Sequence, residues 1–262
     1  MDFIINIFNT FLYRPLFNAL IFLYEYLPGH DFGMAIIILT VIIRLILYPL
    51  MVQAIKSQKA MAELQPKLQE IQKKYKNDKE GQARETMELY KREKINPFGG
   101  CLPLLIQFPI LIALYRVFLK GIQGQEASLL YSFIPRPETI KPFFLGIIDL
   151  SQSTTVKIDG ASHLVWINII LVILVGAAQF VQTKMITPKT SGTGDKSNQM
   201  DQFSGMLQKQ MLYLMPVFTV FILWRLPAAL GLYWLATSLF SILQQYLIYR
   251  TKKSDSSAAA TV

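Results

Sequence analysis

The sequence is poor in the side chains from which catalytic and metal sites are built. Cys101 is its one cysteine, which excludes an intramolecular disulfide. His30 and His163 are its two histidines, leaving little for a metal cage. No GxSxG occurs, and no Asp or Glu lies inside any of the long apolar runs. A serine nucleophile elbow and a pair of intramembrane carboxylates are therefore both missing, and neither catalysis nor a cofactor is expected. The opening MDFIINIF carries an acidic second residue and no cation before Arg14, whereas a cleaved secretory signal needs a basic leading region. There is no internal repeat of the kind many transporters show.

What the chain does have is apolar length. Of 262 residues 52% are hydrophobic, and the mean hydropathy is +0.35. Runs near 20 residues match a hydrocarbon layer of roughly 30 Å at about 1.5 Å per residue, so an all-α, polytopic membrane protein is expected. Five spans are predicted, at about 33–53, 98–119, 164–185, 211–226 and 229–249. The last two are joined by the tight turn RLPAAL, with Pro227 at its centre. Residues 1–32 form a separate N-terminal region. Within it, Asp2, Asn6, Asn9, Tyr13 and Arg14 make one polar face along residues 3–24, opposite Phe, Ile and Leu. That pattern predicts an interfacial helix, with a sixth span as the alternative.

The net charge is +9, and the cations are unevenly placed. Eleven lie in 54–97, four in 184–209 (Lys184, Lys189, Lys196, Lys209), and Arg250, Lys252 and Lys253 begin the tail. With alternating spans these eighteen share one side, which the positive-inside rule makes cytoplasmic. The N-terminus is then outside and the C-terminus inside. Segment 54–97 has apolar residues at helical spacing on both sides of KNDKEG, which predicts a helical hairpin projecting from the membrane. Its charges suit either a solvated pair of helices or a surface for anionic headgroups, RNA or nascent chains. Prolines 135, 137 and 142 exclude a regular span from 121–163, which is expected to place Phe133, Phe143 and Phe144 at the membrane boundary. The inner loop TPKTSGTGDKSNQMDQ and the tail 251–262 have the composition of flexible polar segments.

Within AIIILTVIIRLILYPLM one residue stands apart, Arg44. A cation at the centre of a span costs about 2.5–3.5 kcal/mol on insertion scales. No span carboxylate is available to pair with it. Snorkelling recovers only part of the roughly 15 Å to either end. A water-filled cavity remains, which Thr40, Gln107, Asn168, Gln179, Thr219, Ser238, Gln244 and Gln245 could help to line. Each of these could equally serve as an interhelical hydrogen-bonding group. A single fixed cation attracts anions or carboxylates, and an ion channel would need a ring of charge or a carbonyl filter.

The order of these features resembles a known family. FGMAIIILTVIIRLILYPL, then LQPKLQEIQKKY, then MELYKREKINPFGGCLPLLIQFPILIALY and finally LWRLPAALGLYWLATSLFSILQQYLIYR are similar to the YidC family of membrane protein insertases, from about residue 10 to 250. The resemblance implies five spans around a hydrophilic groove within a core of 33–250, open to cytoplasm and lipid. Arg44 would receive acidic parts of a substrate's translocated segment, with Thr40 a turn earlier in the same groove. Phe108, Pro109 and Leu111, with Tyr233 and Trp234, would be the edge along which substrate spans slide into lipid. The hairpin would receive substrate. The implied partners are nascent membrane proteins, the phospholipid bilayer and the Sec translocon. Ribosome contact would have to be made without the long basic tail of some members. The pattern fits the short bacterial form, without the large periplasmic domain of Gram-negative members, in the cell membrane. A small-anion or lipid-headgroup transporter using the same cavity is the alternative.

Overall fold

The computed structural model describes residues 2–96, 99, 102–122, 127–137, 139–159, 161–186 and 212–259. Cys101, most of the NPFGG stretch and the polar loop 187–211, with Lys189, Lys196 and Lys209, lie outside the described residues. The chain is mostly helical. Its helices are α1 (Asp2–Phe8), α2 (Arg14–Tyr26), α3 (Phe32–Ile46), α4 (Tyr48–Glu63), α5 (Gln65–Lys74), α6 (Lys79–Arg92), α7 (Leu102–Ile122), α8 (Trp166–Ile186), α9 (Leu212–Leu223) and α10 (Ala228–Ala259). A π-helical turn, Asn9–Tyr13, joins α1 to α2. The all-α expectation needs one amendment, because the segment 143–164 forms two small antiparallel ladders. Strand β1 (Phe143–Phe144) pairs with β2 (Ile148–Asp149), and β3 (Thr155–Ile158) with β4 (Ala161–Leu164). The turns explain them. Leu145, Gly146 and Asp159 take left-handed φ of 53°, 68° and 50°, the backbone that tight hairpins need.

The chain divides into two compact units, and the first comprises residues 1–46, 105–179 and 217–240. Its core joins α2, α3 and α7 through aromatic edges: the Tyr24 and Phe32 rings lie 5.9 Å apart, and Phe32 and Phe118 6.3 Å. Asp31 begins α3 by accepting from Met34 N at 2.8 Å, while its other oxygen accepts from Leu145 N at 2.6 Å. That ties the β1–β2 turn to the helix, and Phe144 lies against Gly33 rather than at a free boundary; a Cβ on Gly33 would fall 2.4 Å from the Phe144 ring. Phe133 and Phe143 do remain exposed. The predicted polar face of the N-terminal segment is not buried as a whole, since Asn6 and Arg14 are exposed and Asn9 is half-buried. Tyr13 and Asn18 are buried, while Phe3, Ile4, Ile7 and Phe11 are exposed.

One face of α8, from Asn168 to Ala178, is buried, and Trp166, Ile170, Ile173 and Leu174 stand exposed on the other. An exposed face this apolar has no place in water. Among the described residues α8 alone has the length and hydropathy of a span, and α3 and α4 reach them as a broken pair.

The second unit comprises residues 47–104, 180–216 and 241–262. Helices α5 and α6 bury Leu64, Leu68, Ile71 and Leu89 between them, flanked by Tyr75, Tyr90 and Ile95. Asp78 begins α6 by accepting from Gly81 N at 2.9 Å. Lys67 donates to Glu93, and that bond holds the Glu93 carboxyl below its usual pKa. Lys59 lies 5.0 Å from the centre of the Tyr249 ring. Helix α10 continues to Ala259, through residues whose composition predicts a disordered tail; from Leu232 onward no Gly or Pro interrupts it.

Candidate functional site

The predicted first span is not one helix. It stops at Ile46 and restarts at Tyr48, with Pro49 at the first positions of the new helix. Proline supplies no N–H and its ring clashes with the carbonyl four residues back, here that of Leu45. Arg44 therefore sits in the last turn of α3, not mid-helix. There the unpaired carbonyls of the helix C-terminus carry about half a negative charge, which favours a cation.

Arg44 is 8% exposed. Its Nη2 donates to Gln107 Oε1 of α7 at 3.2 Å, and Gln107 Nε2 donates in turn to the Tyr233 hydroxyl of α10. Thr237, one turn along α10, sits beside the same hydroxyl. A buried cation is thus held by a chain of neutral groups. Among the described residues no carboxylate pairs with it.

The sequence-selected residues divide around this cluster. Arg44 and Gln107 are its centre. Thr40 is buried one turn earlier on α3, its hydroxyl donating to Ile36 O at 2.7 Å. Ser238 is buried beside Thr237 in sequence. Tyr233, assigned by resemblance to the sliding edge, is buried with its hydroxyl in the cluster. Trp234 and Leu111 are half-buried, whereas Phe108 and Pro109 on α7 are exposed. Asn168 is otherwise engaged: its Nδ2 donates to Gln152 O and Ser153 O, at 3.3 and 3.0 Å, and anchors the loop before β3 to the start of α8. Gln179, about three turns along α8, is half-buried. Thr237 escaped the sequence reading, although Tyr233, Thr237 and Ser241 recur every four residues on α10 and mark one polar stripe.

The family described as 60Kd inner membrane protein matches residues 22–256. A protein of Fusobacterium nucleatum named Membrane protein insertase YidC is 37% identical over 220 residues, which cover 84% of this chain and 87% of that one. The protein of the same name from Geobacter sulfurreducens is 37% identical over 238 residues, 91% of this chain but 37% of its own length. A solved structure, described as an active YidC insertase with the first transmembrane domain resolved, matches at 26% identity with a TM-score of 0.55. The match covers 89% of this chain and 46% of that one. The chain thus spans most of the Fusobacterium relative and under half of the other two. With nine-tenths of its length matched, this chain belongs to the 60Kd inner membrane protein family.

Proposed function

We propose that this chain is a membrane protein insertase and chaperone of a bacterial inner membrane. It moves short polar segments of nascent membrane proteins across the bilayer and releases their spans into lipid. The observation that carries the reading is Arg44, a buried cation held by Gln107 and Tyr233 with no carboxylate among the described residues. A cation so placed is free to take a carboxylate from outside. The names of the relatives agree with that chemistry.

In the proposed arrangement five spans surround a hydrated groove that reaches Arg44. The α5–α6 hairpin and the C-terminus lie in the cytoplasm, and the N-terminus lies outside. The physical gain is a shorter apolar path. A polar segment crossing the full hydrocarbon layer loses water from its backbone and charges, and each unsatisfied group costs several kcal/mol. A wet groove removes part of that crossing. Arg44 holds an acidic side chain on the way, and a potential positive outside contributes about 2.3 kcal/mol per charge per 100 mV to its outward movement. The substrate's own apolar span leaves along exposed Phe108 and Pro109, beside Leu111 and Trp234. The chain works alone or beside the Sec translocon.

Photocrosslinking tests the exit route. Probes replacing Leu111 and Trp234 should capture the first span of a ribosome-stalled membrane protein, and a probe on buried Leu89 of the hairpin core should not. Equal capture at all three positions, or sustained anion flux through proteoliposomes without polypeptide insertion, would overturn the reading.

A further inference from the structure

A second basic site lies in the first unit and shares no residue with the Arg44 cluster. Asn9, Thr10, Tyr13, Arg14, Arg116 and Leu129 line a cavity of about 290 Å³. That is near the lower end of the roughly 300–1,000 Å³ typical of small-ligand sites. Its two guanidinium groups come from separate elements and are held by neutral partners. Arg116 Nη1 donates to Asn9 Oδ1 at 3.1 Å, and the group lies 4.7 Å from the Tyr13 ring centre and 5.8 Å from that of Phe8. Arg14 Nε donates to Leu129 O at 3.1 Å, with its guanidinium 5.0 Å from the Tyr131 ring centre. Among the described residues neither arginine has a carboxylate partner.

The frame around them is fixed. Asn18 Nδ2 donates to both Arg14 O and Leu129 O, at 2.8 and 3.0 Å, and Asn18 Oδ1 accepts from Tyr131 N at 2.6 Å. A guanidinium has five N–H donors, so each arginine keeps most of its donors for a ligand, and Thr10 adds a hydroxyl. Two such forks on one small cavity suit a phosphate or phosphodiester, whose several oxygens accept in parallel.

The surroundings choose between a free phosphate and a lipid. On the same helical segment Phe3 and Phe11 are about three-quarters exposed, 75% and 76%, and Ile4 and Ile7 are exposed with them. An anion tethered to acyl chains satisfies both the arginines and this apolar face; a free anion leaves the face uncovered. We propose that the cavity binds the phosphodiester of an anionic phospholipid, whose acyl chains run along the Phe3–Phe11 face. The proposal rests on the chain's membrane location and not on insertase activity.

Native mass spectrometry of the purified full chain, titrated with phosphatidylglycerol or phosphatidylcholine, reads this directly. Both lipids carry the phosphodiester, but choline adds a cation that the two arginines repel, so phosphatidylglycerol should bind about tenfold more tightly. Arg14→Gln with Arg116→Gln should abolish the preference. Thr10→Trp should also abolish it by filling the cavity while keeping both cations, and so tests the site if the double variant fails to fold. Equal binding of the two lipids by the unsubstituted chain would overturn the proposal. So would a preference that survives both variants, since the lysine-rich segments would then be its source. Inorganic phosphate that displaces phosphatidylglycerol at equal concentration would identify a soluble-anion site and overturn the lipid assignment.

Discussion

Replacing Gln107 by Leu measures how wet the Arg44 site is. The change conserves volume approximately and deletes both the acceptor for Arg44 Nη2 and the donor to Tyr233. In a dry site the loss strands a buried guanidinium, and breaking a buried charged contact from one side costs about 3–5 kcal/mol. In a hydrated site water replaces the lost partners. Interhelical polar contacts in membranes then average about 0.6 kcal/mol each, so two lost bonds cost about 1 kcal/mol. The helix C-terminus beside Arg44 lowers the penalty in either case, because its carbonyls stay in place. The assay is equilibrium unfolding in mixed micelles, comparing midpoints at unchanged m-value. Tyr233→Phe, which removes the hydroxyl from Gln107 and Thr237 and leaves Arg44 its acceptor, is the control. The groove account predicts a loss near 1 kcal/mol for Gln107→Leu; a loss above about 3 kcal/mol would refute hydration at Arg44.

Three other outcomes follow from packing and charge. Gly33→Ala forces a methyl into the Phe144 ring and should destabilise the first unit by about 1–3 kcal/mol, read as a fall in Tm; an unchanged Tm would contradict the contact. Leu89→Ala empties the α5–α6 core, at a cost of about 2–5 kcal/mol, and should speed hydrogen exchange in those two helices while leaving α3 and α7 protected. The Lys67–Glu93 contact lowers the Glu93 pKa, so it is present above the ordinary carboxylate pKa and lost as pH falls through the depressed one. Spin-label distances between α5 and the end of α6 should therefore broaden only below the usual carboxylate range, and Lys67→Met should erase that pH dependence.

Much of the helical layout was legible because a long apolar run leaves the backbone few alternatives to hydrogen-bonding itself. The runs at Phe32–Ile46, Leu102–Ile122, Trp166–Ile186 and Ala228–Ala259 all became helices. The break at Leu47 was visible in the dipeptide Tyr48-Pro49, but hydropathy averages across such a point and carries the span to residue 53. That averaging hid the helix end at Arg44, which closes α3 although it lies near the middle of the apolar run. Polar identity alone also failed to separate Gln107 from Asn168. Both are amides in apolar runs, yet one joins Arg44 and the other anchors a loop, a choice made by tertiary neighbours. Tyr233, which the resemblance put at the sliding edge, has its hydroxyl in the cluster, since the polar end of a buried tyrosine needs a partner. The two β-hairpins were hidden because their strands are two to four residues long.

The most direct test of the central claim uses Arg44 in purified proteoliposomes, with a small single-span substrate whose translocated tail is acidic or neutral. Protease protection of the tail is the readout. Arg44→Lys keeps the cation at the end of α3 and should retain most translocation of the acidic tail. Arg44→Glu should abolish it, and should impair the neutral tail far less. Equal loss with Lys and with Glu, or equal loss for both tails, would contradict a groove in which Arg44 receives the substrate's acidic segment.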